Sequence, residues 1–510
     1  MENEPDDAAL EKRVASLILE NEALSQKIAQ LTSDRKLGLV WEDKPDAQVL
    51  RLLNHIPVLC EERSKAVVTD EKAAQHVLIN GDNYHALTAL LPTHTGKIDV
   101  IYIDPPYNTG HKDFIYNDNY LDKEDTYRHS KWLSFMYQRL ILAQKLLSDT
   151  GAIFVSIDDN EHARLRLLMD EVFGSENFIS DLIINSNPRG SQYNKHVAVT
   201  HEYVLLYAKN KSSLLLGGHE KQEHTLNEYK LNDENGPYRL IGLRQRGLSW
   251  RRSDRPKMFY PLYIDPTSGK VSLTQDKDFS IEVIPARPTG EESRWTWSKD
   301  KIQESNELLI GRPVKRAGQP NAYDVFRKDY LNKDGAQVLS KPKSIWDEKE
   351  INYQNGRDEL NAVLPQGMFD YPKPLHLIEQ ILRLHPKNDA IVLDFFAGSG
   401  TTAHAVAKLN NEDGGSRQCI LITDGGKAET VGESSLHSGA GQLVNIAEQV
   451  AYERVRRVLT GEEWADGKTH EPLGGNLRHF KVELVPTTDN SHSATILDEL
   501  PTNYKNGEGK

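Results

Sequence analysis

The sequence predicts an α/β protein: a doubly wound, mostly parallel sheet, split by one long stretch and preceded by a helical segment. Three observations carry this. Apolar strands alternate with amphipathic helices from His76 to Asn210. The same alternation resumes at Tyr371. Between them, residues 211–365 lose the rhythm and grow richer in polar residues, Gly, Pro and Trp. Near-continuous apolar strands separated by helices are the pattern of a sheet covered on both faces.

The elements follow in order. Residues 1–70 form the N-terminal segment. In it Leu10, Val14, Leu17, Asn21, Leu24, Ile28 and Leu31 are spaced alternately by four and three. That is a heptad seam with one asparagine at an a position, which sets register in a parallel two-stranded coil. An amphipathic helix packed on its own domain has the same pattern. Residues 71–210 hold the strands "HVLING", "KIDVIYID", "AIFVSIDD" and "HEYVLLYAKN". A long helix, "YRHSKWLSFMYQRLILAQKLLSDTG", lies among them and is expected to close at Gly151. After the interruption, residues 366–483 give "YPKPLHLIEQILRLHP" as a helix and "DAIVLDFFAGSGTTAHAVAKLN" as strand, turn and helix. The strand "QCILITD" and the helix "LVNIAEQVAYERVRRVLTG" follow. The tail, 484–510, is polar and reads as disordered.

Composition narrows the class. At 510 residues, 38% hydrophobic and 27% charged, the chain reads as soluble with room for several cores. No apolar run approaches the roughly 20 residues that span a bilayer, so no membrane partner is expected. The acidic start "MENEPDDAALEKR" is not a signal peptide. Two distant cysteines, Cys60 and Cys419, fit a reducing cytoplasm and argue against a disulfide framework. The 18 histidines are scattered, no metal-ligand cluster is legible, and no metal is expected. A net charge of −13 does not advertise nucleic acid, so such a partner needs a local basic patch.

Two motifs carry chemistry. In "VIYIDPPYNTG" a buried strand runs into Asp104, Pro105, Pro106 and Tyr107. Open α/β sheets place ligands at the carboxyl ends of their strands. The prolines stiffen the turn and leave carbonyls without competing N–H donors. An acid, an aimed carbonyl and an aromatic face suit an exocyclic amine on a planar base; a stiff loop with an exposed acid is the plainer alternative. In "VLDFFAGSGTT" a strand ends at Asp394, Phe396 follows, Gly398 and Gly400 make a turn, and Thr401 opens a helix. Glycines let backbone approach a ligand where a Cβ would collide. The spacing is neither G-x-G-x-x-G nor the phosphate-binding G-x-x-x-x-G-K-[ST]. "GEEWADGKT" at 461–469 misses the latter by one residue and follows a helix.

Together these stretches resemble the amino-methylating DNA methyltransferases that use S-adenosylmethionine. "DPPY" at 104–107 matches their catalytic motif and "FAGSG" at 396–400 their cofactor motif. The catalytic motif comes first, as in the permuted β group. "DPPYNTG", "FIYNDNY", "YPKP", "DFFAGSGTT" and "AYERVRRV" are similar to the modification subunit of type III restriction-modification systems, over roughly residues 76–460. The resemblance implies a circularly permuted class I methyltransferase fold, with 211–365 as target-recognition domain. It implies transfer to the N6 amine of a flipped adenine in double-stranded DNA, with Asp104, Pro105, Pro106 and Tyr107 catalytic. It gives Asp394, Phe396, Gly398, Gly400 and Thr401 to the cofactor and Lys373 of "YPKP" to its carboxylate. Asp424 ends the strand "CILITD", where an acid can accept ribose hydroxyls as in other doubly wound folds, although relatives often carry Glu near this point. A solvated lysine at a helix start is the alternative for Lys373. Asp82 of "GDNY" either caps a helix or lines the pocket.

Arg239 to Tyr260 carry seven basic residues and one acid, interleaved with Trp250, Phe259 and Tyr260. Arginines bridge phosphates or read guanine, and aromatics stack on displaced bases. Arg244, Arg246, Arg251, Arg252, Arg255 and Trp250 are thus the expected DNA contacts, unless this is a structural loop with solvated arginines. The expected partners are duplex DNA, a second copy of the chain, and a separate helicase-nuclease restriction subunit. A solitary regulatory adenine methylase, or a recognition module that guides such a partner, are the alternatives.

Overall fold

The computed structural model describes residues 41–425 and 444–487, apart from 117–118, 123–124, 191–195, 220, 222, 316–321 and 334–335. The expected coil at 10–31 and most of the polar tail lie outside the described residues. The chain forms two compact units, one of residues 1–217 and 343–510, the other of Gly218–Pro342.

The first unit is built on a ten-stranded sheet. Its strands are β1 His55–Glu61, β2 Gln75–Asn80, β3 Ile98–Ile103, β4 Leu147–Ile157, β5 Phe178–Ile184, β6 Glu202–Ala208, β7 Ile345–Trp346, β8 Ile391–Asp394, β9 Gln418–Thr423 and β10 Asn476–Pro486. They lie in the order β1-β10-β2-β9-β8-β3-β4-β6-β5-β7. The run from β10 to β4 is parallel. Strand β6 is antiparallel to both of its neighbours. Its first residues therefore lie at the edge where β3, β4 and β8 end.

Alternation along β3 explains the two covered faces. Ile101 and Ile103 pack with Leu87 of α1 (Asn83–His94), Leu140 of α2 (Arg128–Leu146) and Leu168 of α3 (His162–Phe173). Val100 and Tyr102 point the other way. There they meet Ile381 of α5 (Leu375–Arg383), Val406 of α6 (Thr401–Asp413) and Val455 of α7 (Glu453–Thr460). A strand buried on both sides leaves little place for polar residues, which is why it reads as an almost continuous apolar run; the exception, Asp99, has its carboxylate taken by Lys387 and the Ile391 N–H.

Four expectations need revision. The segment before residue 71, expected to be helical, supplies strand β1, and the tail expected from 484 begins inside β10, which runs to Pro486; the two strands pair antiparallel. The long helix ends at Leu146, not at Gly151, and the chain passes directly into β4. Gly151 sits inside that strand, where a Cβ would lie 2.8 Å from the Asp99 carbonyl; it permits close approach of β3 and β4 rather than a helix stop. The interrupting unit is also narrower than 211–365. Residues from 343 rejoin the first unit, where β7 pairs parallel with β5 and α4 (Tyr353–Val363) follows.

The second unit has its own core around Leu262, Val325 and the fully buried Trp295. Four antiparallel strands, Leu309–Pro313, Tyr323–Tyr330, Gly236–Gly242 and Leu231–Asp233, form one sheet. Val271–Ser272, Leu262–Ile264 and Ile281–Val283 form another. The chain enters and leaves this unit side by side: His219 and Ser340 exchange backbone hydrogen bonds of 2.9 and 2.8 Å. Among the described residues, no helix is long and apolar enough to cross a membrane.

Candidate active site

Asp104 follows the six fully buried residues of β3. Desolvation raises its pKa above the usual carboxylate value; the Lys373 ammonium opposes this and Glu202 adds to it. Asp104 Oδ1 is buried and accepts no hydrogen bond, although Lys373 Nζ lies 3.4 Å away. The next turn is held from behind. Trp132, fully buried in α2, donates Nε1–H to the Pro106 carbonyl at 2.7 Å. Asn108 takes a left-handed conformation, φ 56°, one that asparagine tolerates better than most residues.

Tyr107 is fixed by its hydroxyl, which accepts from Lys373 Nζ at 2.6 Å and donates to Glu202 Oε2 at 2.9 Å. The same Glu202 oxygen accepts from Lys373 at 2.7 Å and from the Tyr353 hydroxyl at 2.6 Å. Burial works against the charge of Lys373, but Asp104 and Glu202 outweigh it and hold the ammonium well above its ordinary pKa.

The glycine turn faces the same space. Asp394 ends β8, and its carboxylate accepts from the Phe396 N–H at 3.0 Å and the Thr402 hydroxyl at 2.5 Å. Burial pushes its pKa up to about 7. Gly398 and Gly400 have φ of 48° and 75°, the region that favours glycine. A Cβ on Gly398 would lie 3.1 Å from the Phe369 ring. Behind the turn lies the fully buried Arg454 guanidinium, which donates to Thr401 Oγ1 at 2.6 Å and Ser399 Oγ at 3.1 Å. Burial lowers its pKa to about 10.

Between these parts opens a pocket. Of the residues expected from the sequence, Asp104, Lys373, Asp394, Phe396, Gly398 and Thr401 line it. Pro105, Pro106, Tyr107 and Gly400 belong to the same two turns and are not among the lining residues. Asp424 directly follows β9, is exposed, and is not among the lining residues. Asp82 caps α1 through the Tyr84 and His85 N–H groups. Lys373 sits with the Asp104–Tyr107 turn, bound to Glu202 and Tyr107.

Sequence reasoning missed Glu202, Tyr353, Glu161 and Arg454. Glu202 did carry a signal: like Asp104 and Asp394, it is an acid abutting an apolar strand. Another grouping was also unforeseen. Glu62, Glu448 and His479 come close enough to hold a cation. Lys65 pairs with Glu62 at 3.0 Å and also binds Glu448, while Lys481 pairs with Glu62 at 2.6 Å, so the carboxylates already have ammonium partners.

In the second unit, the loop after Gly242 exposes Arg246, Arg251, Arg252 and Arg255. Trp250 lies between Arg251 and Arg287, their guanidinium carbons 5.5 and 4.1 Å from its ring. Arg252 pairs with Glu292 at 3.0 Å. Arg244 is half-buried and bridges the backbone of Trp295.

A family model described as DNA methylase, of the N6/N4 type, matches residues 98–424. The chain is 36% identical to the EcoPI Mod subunit of a type III restriction-modification enzyme from Escherichia phage P1, over 76% of this chain and 64% of the relative. It is 39% identical to the type II methyltransferase M.KpnI of Klebsiella pneumoniae, over 67% and 79%. It is 30% identical to the type III StyLTI Mod subunit of Salmonella typhimurium, over 92% and 70%. The chain thus spans just under two thirds of the EcoPI subunit's length.

Proposed function

The chain belongs to the DNA methylase family, and on that premise we propose that it methylates the N6 amine of adenine in duplex DNA as a type III modification subunit. The observation that carries the reading is the shared pocket: an open carboxylate oxygen at the end of β3 faces the glycine turn that follows β8.

The residues present fit S-adenosylmethionine. Asp104 Oδ1 is an orphaned buried acceptor, and Gly398 keeps clear a cradle that a Cβ would narrow. When bound, the cofactor supplies an electrophilic methyl group on a sulfonium. Gly398, Gly400, Phe396, Thr401 and Asp394 form the floor for its methionine part, and Asp424 is the proposed acceptor for its ribose hydroxyls. Lys373 is the proposed partner of its carboxylate, a bond that has to be made at the expense of Tyr107 or Asp104.

The adenine amine is a weak nucleophile because its lone pair is delocalised into the ring. Asp104 and the Pro105 carbonyl accept its two hydrogens and orient the nitrogen, while Pro106 stiffens the turn. Tyr107 stacks on the flipped base. The rate enhancement comes from orientation and from fixed dipoles in a desolvated site. A base inside a duplex is out of reach, so it must leave the stack.

The remaining assignments belong to the same proposal. The catalytic strand precedes the cofactor strand in the chain, as in a circularly permuted class I fold. The unit Gly218–Pro342 reads the target, with Arg244, Arg246, Arg251, Arg252, Arg255 and Trp250 against DNA. Residues 10–31 pair two copies through a short coil, and a separate helicase-nuclease subunit completes the system in the cytoplasm. A solitary methylase is the second reading, favoured by the likeness to a type II methyltransferase.

Expression in a methylation-free host, followed by sequencing that detects modified bases, tests the reading. N6-methyladenine at one defined sequence supports it; an unmodified genome overturns it. Asp104→Ala should remove the modification and leave S-adenosylmethionine binding, measured by calorimetry, nearly intact.

A further inference from the structure

Asp104 has to offer a free oxygen to the substrate amine, yet a buried ammonium stands 3.4 Å from it. In a desolvated pocket, such a lysine closes onto the nearest carboxylate unless something holds it elsewhere, because Coulomb attraction is little screened there. Here Glu202 holds it. Glu202 is 1% exposed. Its Oε2 gathers Lys373 at 2.7 Å, Tyr107 at 2.9 Å and Tyr353 at 2.6 Å, and Oε1 is buried without a hydrogen bond. The antiparallel course of β6 brings this acid to the edge where Asp104 emerges.

We propose that Glu202 is a positioning residue: it competes with Asp104 for the Lys373 ammonium and so keeps the Asp104 oxygen open for the substrate amine, while fixing the Tyr107 ring. The inference rests on the methyltransferase reading and goes beyond it in assigning a role to Glu202. Two carboxylates share one ammonium, so the lysine is divided. Neutralising Glu202 leaves Lys373 wholly to Asp104, and the oxygen that should accept the amine is occupied. Replacing Lys373 leaves Asp104 buried beside Glu202 with no positive partner.

The two changes therefore move the ionisation of Asp104 in opposite directions. Lys373 and Glu202 are the charged groups that govern it, with the hydroxyls of Tyr102, Tyr107 and Tyr353 and the Asp394 carboxyl also facing this space. Asp394 is untouched in both variants, so the difference between their profiles reads Asp104.

The test uses the full chain, S-adenosylmethionine, and duplex DNA carrying the site found by modified-base sequencing. Glu202→Gln keeps the shape and removes the charge; Glu202→Asp keeps the charge and changes the shape. Glu202→Gln should lower kcat by about ten-fold or more, the range of a lost positioning interaction. Its calorimetric affinity for S-adenosylmethionine should fall less than that of Lys373→Met, which loses the proposed partner of the cofactor carboxylate outright. Glu202→Asp should retain more turnover than Glu202→Gln. The acid limb of the kcat profile should move to lower pH in Glu202→Gln and to higher pH in Lys373→Met. Turnover in Glu202→Gln equal to or above that of Glu202→Asp overturns the proposal, because shape alone then suffices. So do limbs that stay put or move together. Should Glu202→Gln fail to bind the cofactor through misfolding, a limb that does not rise in Lys373→Met overturns it alone. A wild-type chain that methylates no DNA fells the underlying reading instead.

Discussion

Asn108 donates its side-chain amide to Glu161 Oε1 at 2.5 Å, and both residues are buried. The contact ties the residue after the Asp104–Tyr107 turn to the start of α3, where His129 Nδ1 and Arg164 also meet Glu161. Removing the acid leaves one N–H of a buried amide unpaired, with only a 3.4 Å bond to the Arg128 carbonyl remaining, in a left-handed backbone. Glu161→Ala should lower unfolding stability by about 1–3 kcal/mol, the penalty for an unsatisfied buried donor. Turnover should fall with it, and cofactor affinity should hold. Denaturant midpoints and calorimetry check both.

Gly398→Val should act on the cofactor first. The position has φ 48°, and the nearest ring atom would be 3.1 Å from the new Cβ. Strain and lost space combine, so S-adenosylmethionine binding should fall by at least about ten-fold, the equivalent of 1.4 kcal/mol. Unchanged affinity by calorimetry would show that the cofactor lies elsewhere.

Asp394 makes stability depend on pH. Burial lifts its pKa from 3.8 to about 7 in the folded chain. The folded state therefore holds this proton more tightly than the unfolded one. Its contribution is fully present below the unfolded value and is lost as pH rises toward 7. Buried His76, pushed down to about 4, acts in the opposite sense as pH falls. Comparison with Asp394→Asn cancels the histidine. The variant should gain on the wild type, by up to a few kcal/mol, between about pH 4 and pH 8. Parallel melting curves at all pH values would refute this.

Arg251→Ala with Arg252→Ala should weaken DNA binding and flatten its salt dependence. Each lost phosphate contact removes about 0.9 from the slope of log K against log salt, so two contacts remove about 1.8. Arg252 must first leave Glu292, a surface pair that contributes at most about 1 kcal/mol. An unchanged slope would return both arginines to solvent.

Much of the site was legible because its acids interrupt apolar strands. Asp104 and Asp394 stand out for that reason, and the glycines mark where the backbone turns sharply. Glu202 stayed hidden because its role depends on strand direction, which only the sheet order reveals. Tyr353 joins through a segment whose polar composition looks like the rest of the insertion, although its packing belongs to the methylase unit. Gly151 was misread because a helix-ending glycine and a glycine crowded by a neighbouring strand look the same in sequence. Arg454 lies on a helix rich in arginines, and nothing in the letters tells the fully buried one from its half-buried neighbours Arg456 and Arg457.

The paired backbone at His219 and Ser340 has a consequence of its own. A unit whose two ends meet at a narrow neck asks little of the chain that carries it. Its length can grow or shrink with only a slow, logarithmic change in closure entropy. Foreign sequence grafted between these two residues need only bring its own ends together. On the proposed function, selection is thus free to trade one target-reading unit for another at this junction while the rest of the chain stays in place.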